Sequence, residues 1–87
     1  MSVYMVERDL KGISMEDLGG AQQAAIAEAA KMRGEGSRIG YIRSTFAPDD
    51  GRCMCLFDGD SADEVKSLND RAGLPYSRVV PAMDLTL

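Results

Sequence analysis

Apolar and polar positions alternate from the start of the chain: Val3, Met5 and Glu7 fall on one side, Tyr4, Val6 and Arg8 on the other. This period of two predicts a strand over residues 3–8, apolar on both sides at its beginning. Lys11-Gly12 breaks it, and Ser14 opens a helix, with Asp17 completing a weakened capping box and Ile13 placed to staple onto Leu18. Leu18, Ala21, Ala25, Ile26, Ala29 and Met32 form the helical stripe. Gly19 and Gly20 weaken its first turns by roughly 1 kcal/mol each relative to alanine, and Gly34 is the expected stop. A second strand is predicted over residues 38–46, a turn at Pro48-Asp49-Asp50-Gly51 and a third strand over residues 52–58. Ser61 and Glu64 then make a full capping box for a helix striped by Val65, Leu68 and Ala72, which Gly73 and Pro75 end. The last strand covers residues 78–85, with Pro81 suited to a sheet edge or a bulge.

Strand, helix, strand, strand, helix, strand is the order of a ferredoxin-like split βαβ fold, an α+β domain with a four-stranded antiparallel sheet. Such a sheet takes two helices on one face. In the remaining strands Ile39, Tyr41, Cys53, Cys55 and Phe57 fall on one alternation set and Ile42, Phe46, Met54 and Leu56 on the other, so both faces read as apolar. A bare apolar face needs cover. The simplest cover is a second copy packed face to face across a two-fold axis, as in dimeric α+β barrels.

Composition sharpens this reading. The 87 residues make one domain spanning 1–87, and a chain of that size buries only about 60% of its unfolded surface. Two cysteines supply no disulfide framework, which leaves oligomerisation as the expected source of extra stability. Net charge is −4 with no Lys/Arg cluster, against a nucleic-acid surface. No apolar run is long enough to span a membrane. Free thiols without an export-like segment point to the cytoplasm.

The chain has no histidine, so Ser/His/Asp and Cys/His nucleophile sets are excluded. Strand adjacency in this fold allows Glu7, Tyr41, Arg43 and Cys55 to converge on one face as a small polar pocket; a buried ion pair or strand-pairing rim would use the same residue types. Cys53 and Cys55, two apart on a strand, have Cα atoms about 6.6 Å apart and parallel side chains, which disfavours a disulfide. As thiolates they would suit a soft ion; as thiols they are small core hydrophobes.

Val6-Glu7-Arg8-Asp9-Leu10, Tyr41-Ile42-Arg43-Ser44, Asp49-Asp50, Cys55-Leu56-Phe57-Asp58 and Arg71-Ala72-Gly73-Leu74-Pro75 occur in that order. In these motifs the chain resembles, over nearly its whole length, a family of small bacterial nickel-binding or nickel-responsive-like proteins of unknown function. The resemblance implies a ferredoxin-like homodimer and binding of a divalent metal such as nickel. Relatives often carry histidine near the positions of Arg43 and Leu68, where this chain has no ligand. Glu7, Cys53, Cys55 and Asp58 remain as its possible metal donors. The expected function is a homodimeric binding protein for a metal ion or small polar molecule, with no catalytic residue assigned. The alternative is a cofactor-independent enzyme of the dimeric α+β barrel type, monooxygenase- or isomerase-like, which rests on fold analogy.

Overall fold

The computed structural model describes residues 1–86. Six elements follow the expected order: β1 (Ser2–Asp9), α1 (Met15–Gly34), β2 (Gly40–Ala47), β3 (Arg52–Gly59), α2 (Ala62–Arg71) and β4 (Arg78–Ala82). The strands form one antiparallel sheet in the order β2-β3-β1-β4. This is the ferredoxin-like arrangement, and it places Pro81 in an edge strand, where a missing N–H costs no ladder bond.

Local chemistry explains the helix ends. Ser14 Oγ accepts from the Asp17 amide at 3.1 Å, and Ser61 Oγ accepts from the Glu64 amide at 3.1 Å. Glu64 reaches back to the amide of Asp60, one residue earlier than a reciprocal capping box requires. α2 stops as expected: Gly73 takes φ +71°, and the amides of Gly73 and Leu74 return to the carbonyls of Asp70 and Asn69. α1 runs through Gly34 instead of stopping there. Its terminator is Gly36 at φ +102°, with the amides of Gly36 and Ser37 closing onto Arg33 and Met32. The same hydrogen-bond closure favours whichever glycine lies where the chain must turn toward Ile39, which is fully buried.

One core lies between the helices and the sheet. It contains Val6 from β1, Cys53, Cys55 and Phe57 from β3, Ala25, Ala29 and Met32 from α1, Val65 and Leu68 from α2, and Ile39. Alanines at the α1 contact let that helix lie close to the strands. Ile26, placed on the stripe by its spacing, instead stays 36% exposed at the edge of this contact.

The opposite face of the sheet has Val3, Met5, Met54, Leu56, Val80 and Ala82 at its centre, all half-buried in the single chain. Charges border it at one end and along the β2 edge. Glu7 pairs with Arg78 and Arg52, and Arg43 pairs with Asp84 at 2.9 Å. Asp84 belongs to a segment that leaves the sheet after Ala82, so the last strand is shorter than the predicted residues 78–85.

β2 corrects a second expectation. A bulge at Ile42 lets Tyr41 pair with Phe57 and Arg43 with Leu56. One residue inserted into an alternating strand exchanges the faces of everything beyond it. Ser44 and Phe46 therefore join Cys55 and Cys53 on the helix-covered face, whereas unbroken alternation puts Phe46 with Met54 and Leu56.

Candidate functional site

The bulge shapes a cavity of about 150 Å³ between α1 and the sheet. Its helical wall is Leu18, Ala21, Gln22 and Ala25, residues spaced at three and four so that they share one face. Its sheet wall is Tyr41, Ser44, Phe46, Cys53 and Cys55, and Arg8 and Leu10 close the end where β1 leaves the sheet. The small side chains of Ala21 and Ala25 leave the space that the sheet side chains do not fill.

A directed hydrogen-bond chain crosses the wall. Gln22 Nε2 donates to Tyr41 Oη at 3.0 Å, and Ser44 Oγ donates to Cys55 Sγ at 3.0 Å. Tyr41 Oη and Ser44 Oγ are 2.6 Å apart. A hydroxyl has one hydrogen, so with Ser44 committed to Cys55, Tyr41 is the donor to Ser44. Cys55 in turn meets Cys53, with the two sulfurs 3.8 Å apart. Both cysteines are free thiols. The Cys53 thiol is pushed up to about 11, first by burial and then by the adjacent Cys55, against the opposing pull of the Arg8 guanidinium. It is therefore neutral at pH 7.

Arg8 is the unusual member. It is only 5% exposed, and Nη1 donates to the Pro75 carbonyl at 3.2 Å. Arg38, Arg43, Arg52, Arg71 and Arg78 all sit in ion pairs. Among the described residues no carboxylate lies within ion-pair distance of Arg8. No Arg8 nitrogen is both buried and without a hydrogen-bond partner, and the Cys53 thiol also lies within hydrogen-bonding reach of the guanidinium.

The four expected pocket residues divide between the two faces. Tyr41 and Cys55 line the cavity. Glu7 and Arg43 lie on the opposite face, paired in register with Met54 and Leu56, and are engaged in ion pairs. Hydrogen bonding from Arg78 holds the Glu7 carboxyl below its usual range. The bulge is the reason Arg43 parts from Tyr41, and simple alternation separates Glu7 from Cys55, whose partner across β1 is Val6. The proposed metal donors divide likewise: Cys53 and Cys55 face the helices, whereas Glu7 and Asp58 face away, with Asp58 lying over Gly40. Arg8, Gln22 and Ser44 were missed. Arg8 had a legible signal, because strict alternation puts it on the Val6 side of a central strand, the face that the helices cover.

A family model described as nickel responsive protein SCO4226-like matches residues 4–81. The chain belongs to this family. The crystal structure of SCO4226 from Streptomyces coelicolor A3(2) superimposes with a TM-score of 0.79 at 24% identity, covering 98% of this chain and 100% of that one. A likeness at that identity establishes the shared ferredoxin-like fold. No curated protein matches the chain.

The donor set was tested against the metal that the family description suggests. The chain has no histidine. Among the described residues no three His, Cys, Asp or Glu side chains gather into a ligand group. Nickel favours imidazole, thiolate and carboxylate donors, and here the thiols and the carboxylates stand on opposite sides of the sheet. These residues do not form a nickel cage within one chain. Among the described residues no helix is long and apolar enough to cross a membrane.

Proposed function

We propose that this protein is a small homodimeric binding protein that holds a compact organic ligand in the cavity between α1 and the sheet, in a reducing cytoplasm that keeps Cys53 and Cys55 as thiols. The carrying observation is the cavity of about 150 Å³ whose mostly apolar wall carries Arg8 and a polar chain from Gln22 to Cys53. Mostly apolar lining with a few convergent polar groups is the composition of a ligand site. A cavity of about 150 Å³ takes a molecule about the size of benzene. The neutral Cys53 thiol supports binding over nucleophilic chemistry, since the thiolate is the reactive form.

Dimerisation through the uncovered sheet face supports the same reading. Three strands of eight residues and one of five, at about 3.3 Å per residue and about 4.8 Å apart, give a face of roughly 460 Å². Two such faces supply roughly 900 Å², just below the ~1,000 Å² at the low end of specific interfaces. The apolar centre bounded by internally paired charges has the layout of an interface core and rim. In this reading the dimer covers the sheet and leaves the cavity, on the other side, open to ligand.

Thermal shift with a panel of neutral and charged molecules of about six to ten heavy atoms tests the cavity. A ligand at a hundred times its Kd stabilises by about 2.7 kcal/mol, and Ala21→Leu, which fills the cavity, should abolish the shift. A panel without any shift, or equal shifts in the variant, would overturn the reading. Light scattering tests the dimer: Leu56→Glu should yield a folded monomer, and a native protein already monomeric at micromolar concentration would refute the interface.

A further inference from the structure

The cavity wall carries one fixed positive charge and no negative one. Of the chain's 14 acidic residues none lines the cavity, although the net charge is −4. The other polar wall groups, Gln22, Tyr41, Ser44 and the two cysteines, carry no charged acceptor, and the Tyr41 and Ser44 hydrogens are already used within their own hydrogen-bond chain. Arg8 is positioned at the end of this set, nine-tenths buried, anchored through Nη1 to the Pro75 carbonyl. That contact orients the guanidinium and leaves N–H donors that the Pro75 carbonyl does not engage.

We propose that the ligand is a small monocarboxylate with a compact apolar body, its carboxylate on Arg8 and its aromatic ring or branched chain between α1 and the sheet. The inference rests on the cavity being a binding site and adds the chemical class of what binds there. Three observations select that class. A single guanidinium balances a single negative charge. Leu10, Leu18, Ala21, Ala25 and Phe46 offer the remaining wall only dispersion and apolar contact, which an inorganic anion cannot use. The volume of about 150 Å³ admits one ring or a short branched chain and excludes a nucleotide or a long acyl chain.

The protonated state of the Cys53 thiol is consistent with this assignment. With its pKa pushed up to about 11, Cys53 adds no negative charge to the site at neutral pH. The ligand would also supply what the protein lacks, an anionic partner for a buried cation.

Isothermal titration of the full-length protein with benzoate, its neutral isostere benzamide and inorganic phosphate at pH 7 tests the class. Benzoate should bind at least about tenfold tighter than benzamide, the increment a hydrogen-bonded charge supplies, and phosphate should bind more weakly than benzoate. Arg8→Gln should reduce the benzoate-to-benzamide ratio to about one, and Ala21→Leu should remove both. Arg8→Lys serves as a second variant should Arg8→Gln fail to fold: it keeps the charge without the fork and should retain a reduced preference for benzoate. Equal binding of benzoate and benzamide overturns the carboxylate assignment and leaves the cavity reading intact. Tighter binding of phosphate overturns the apolar body. An unchanged ratio in Arg8→Gln overturns the role of Arg8, and absence of binding by both benzoate and benzamide overturns the inference together with the reading beneath it.

Discussion

Phe57 is the position at which fold and site can be perturbed together. It is fully buried on β3, paired in register with Tyr4 on one side and Tyr41 on the other. Its ring meets that of Tyr41 edge to face, with centroids 5.6 Å apart and planes at 76°. Truncation by Phe57→Ala should cost about 3–5 kcal/mol through lost transfer and cavity terms. A domain of 87 residues has roughly 4–13 kcal/mol in all at ~0.05–0.15 per residue, so that variant should lie near its unfolding threshold. Phe57→Leu is the informative change. It keeps most of the volume and removes the ring pair, worth about 0.5–1.5 kcal/mol beyond area burial, so the total loss should be about 1–1.5 kcal/mol. Because the Tyr41 hydroxyl passes the hydrogen bond from Gln22 to Ser44, freeing its ring should also weaken ligand binding in the cavity. Urea unfolding followed by circular dichroism, at one fixed protein concentration because the proposed dimer would unfold concentration-dependently, gives the stability change. A double-mutant cycle with Tyr41→Leu gives the coupling. A loss below about 0.5 kcal/mol for Phe57→Leu, or a coupling indistinguishable from zero, would refute the claim that this ring pair braces the cavity wall.

Three further outcomes follow from the same geometry. Gly51 holds φ +74°, and a Cβ there would overlap the backbone of Lys11, so Gly51→Ala should lose more than about 1 kcal/mol in a thermal melt; an unchanged melting temperature would contradict the close approach. Cys53, raised from an ordinary 9.0 to about 11, stays protonated in the folded state where the unfolded chain has ionised. Its contribution to stability is complete below pH 9 and declines as pH rises from 9 towards 11. Cys53→Ala should flatten that decline, and rapid labelling of native Cys53 by a disulfide reagent at pH 8 would show that the thiol is not buried as described. Glu7 has the opposite sign: held below 4.5 by Arg78, it contributes stability above its unfolded value that is lost as pH falls through the folded one. Glu7→Gln should therefore reduce the steepness of acid unfolding, and an identical acid limb would argue against the ion pair in solution.

Element order, both helix starts, the stop at Gly73 and the alternation of β1 and β3 were legible from residue type and spacing, because each rests on contacts within a few residues. The cavity was half legible. Tyr41 and Cys55 are among the expected pocket residues and Cys53 only among the expected metal donors, and the bulge at Ile42 that sends Arg43 away and brings Ser44 in depends on how β2 pairs with β3, a contact between distant parts of the chain. The same holds at the end of α1, where two glycines compete and the burial of Ile39 selects Gly36. Arg8 shows the limit most plainly. Alternation assigns its face, but its neighbours on that face come from α1, β3 and the loop at Pro75, far away in sequence. Local order along this chain follows from local chemistry; whether a charge is solvated or buried beside a cavity is a property of the assembled fold.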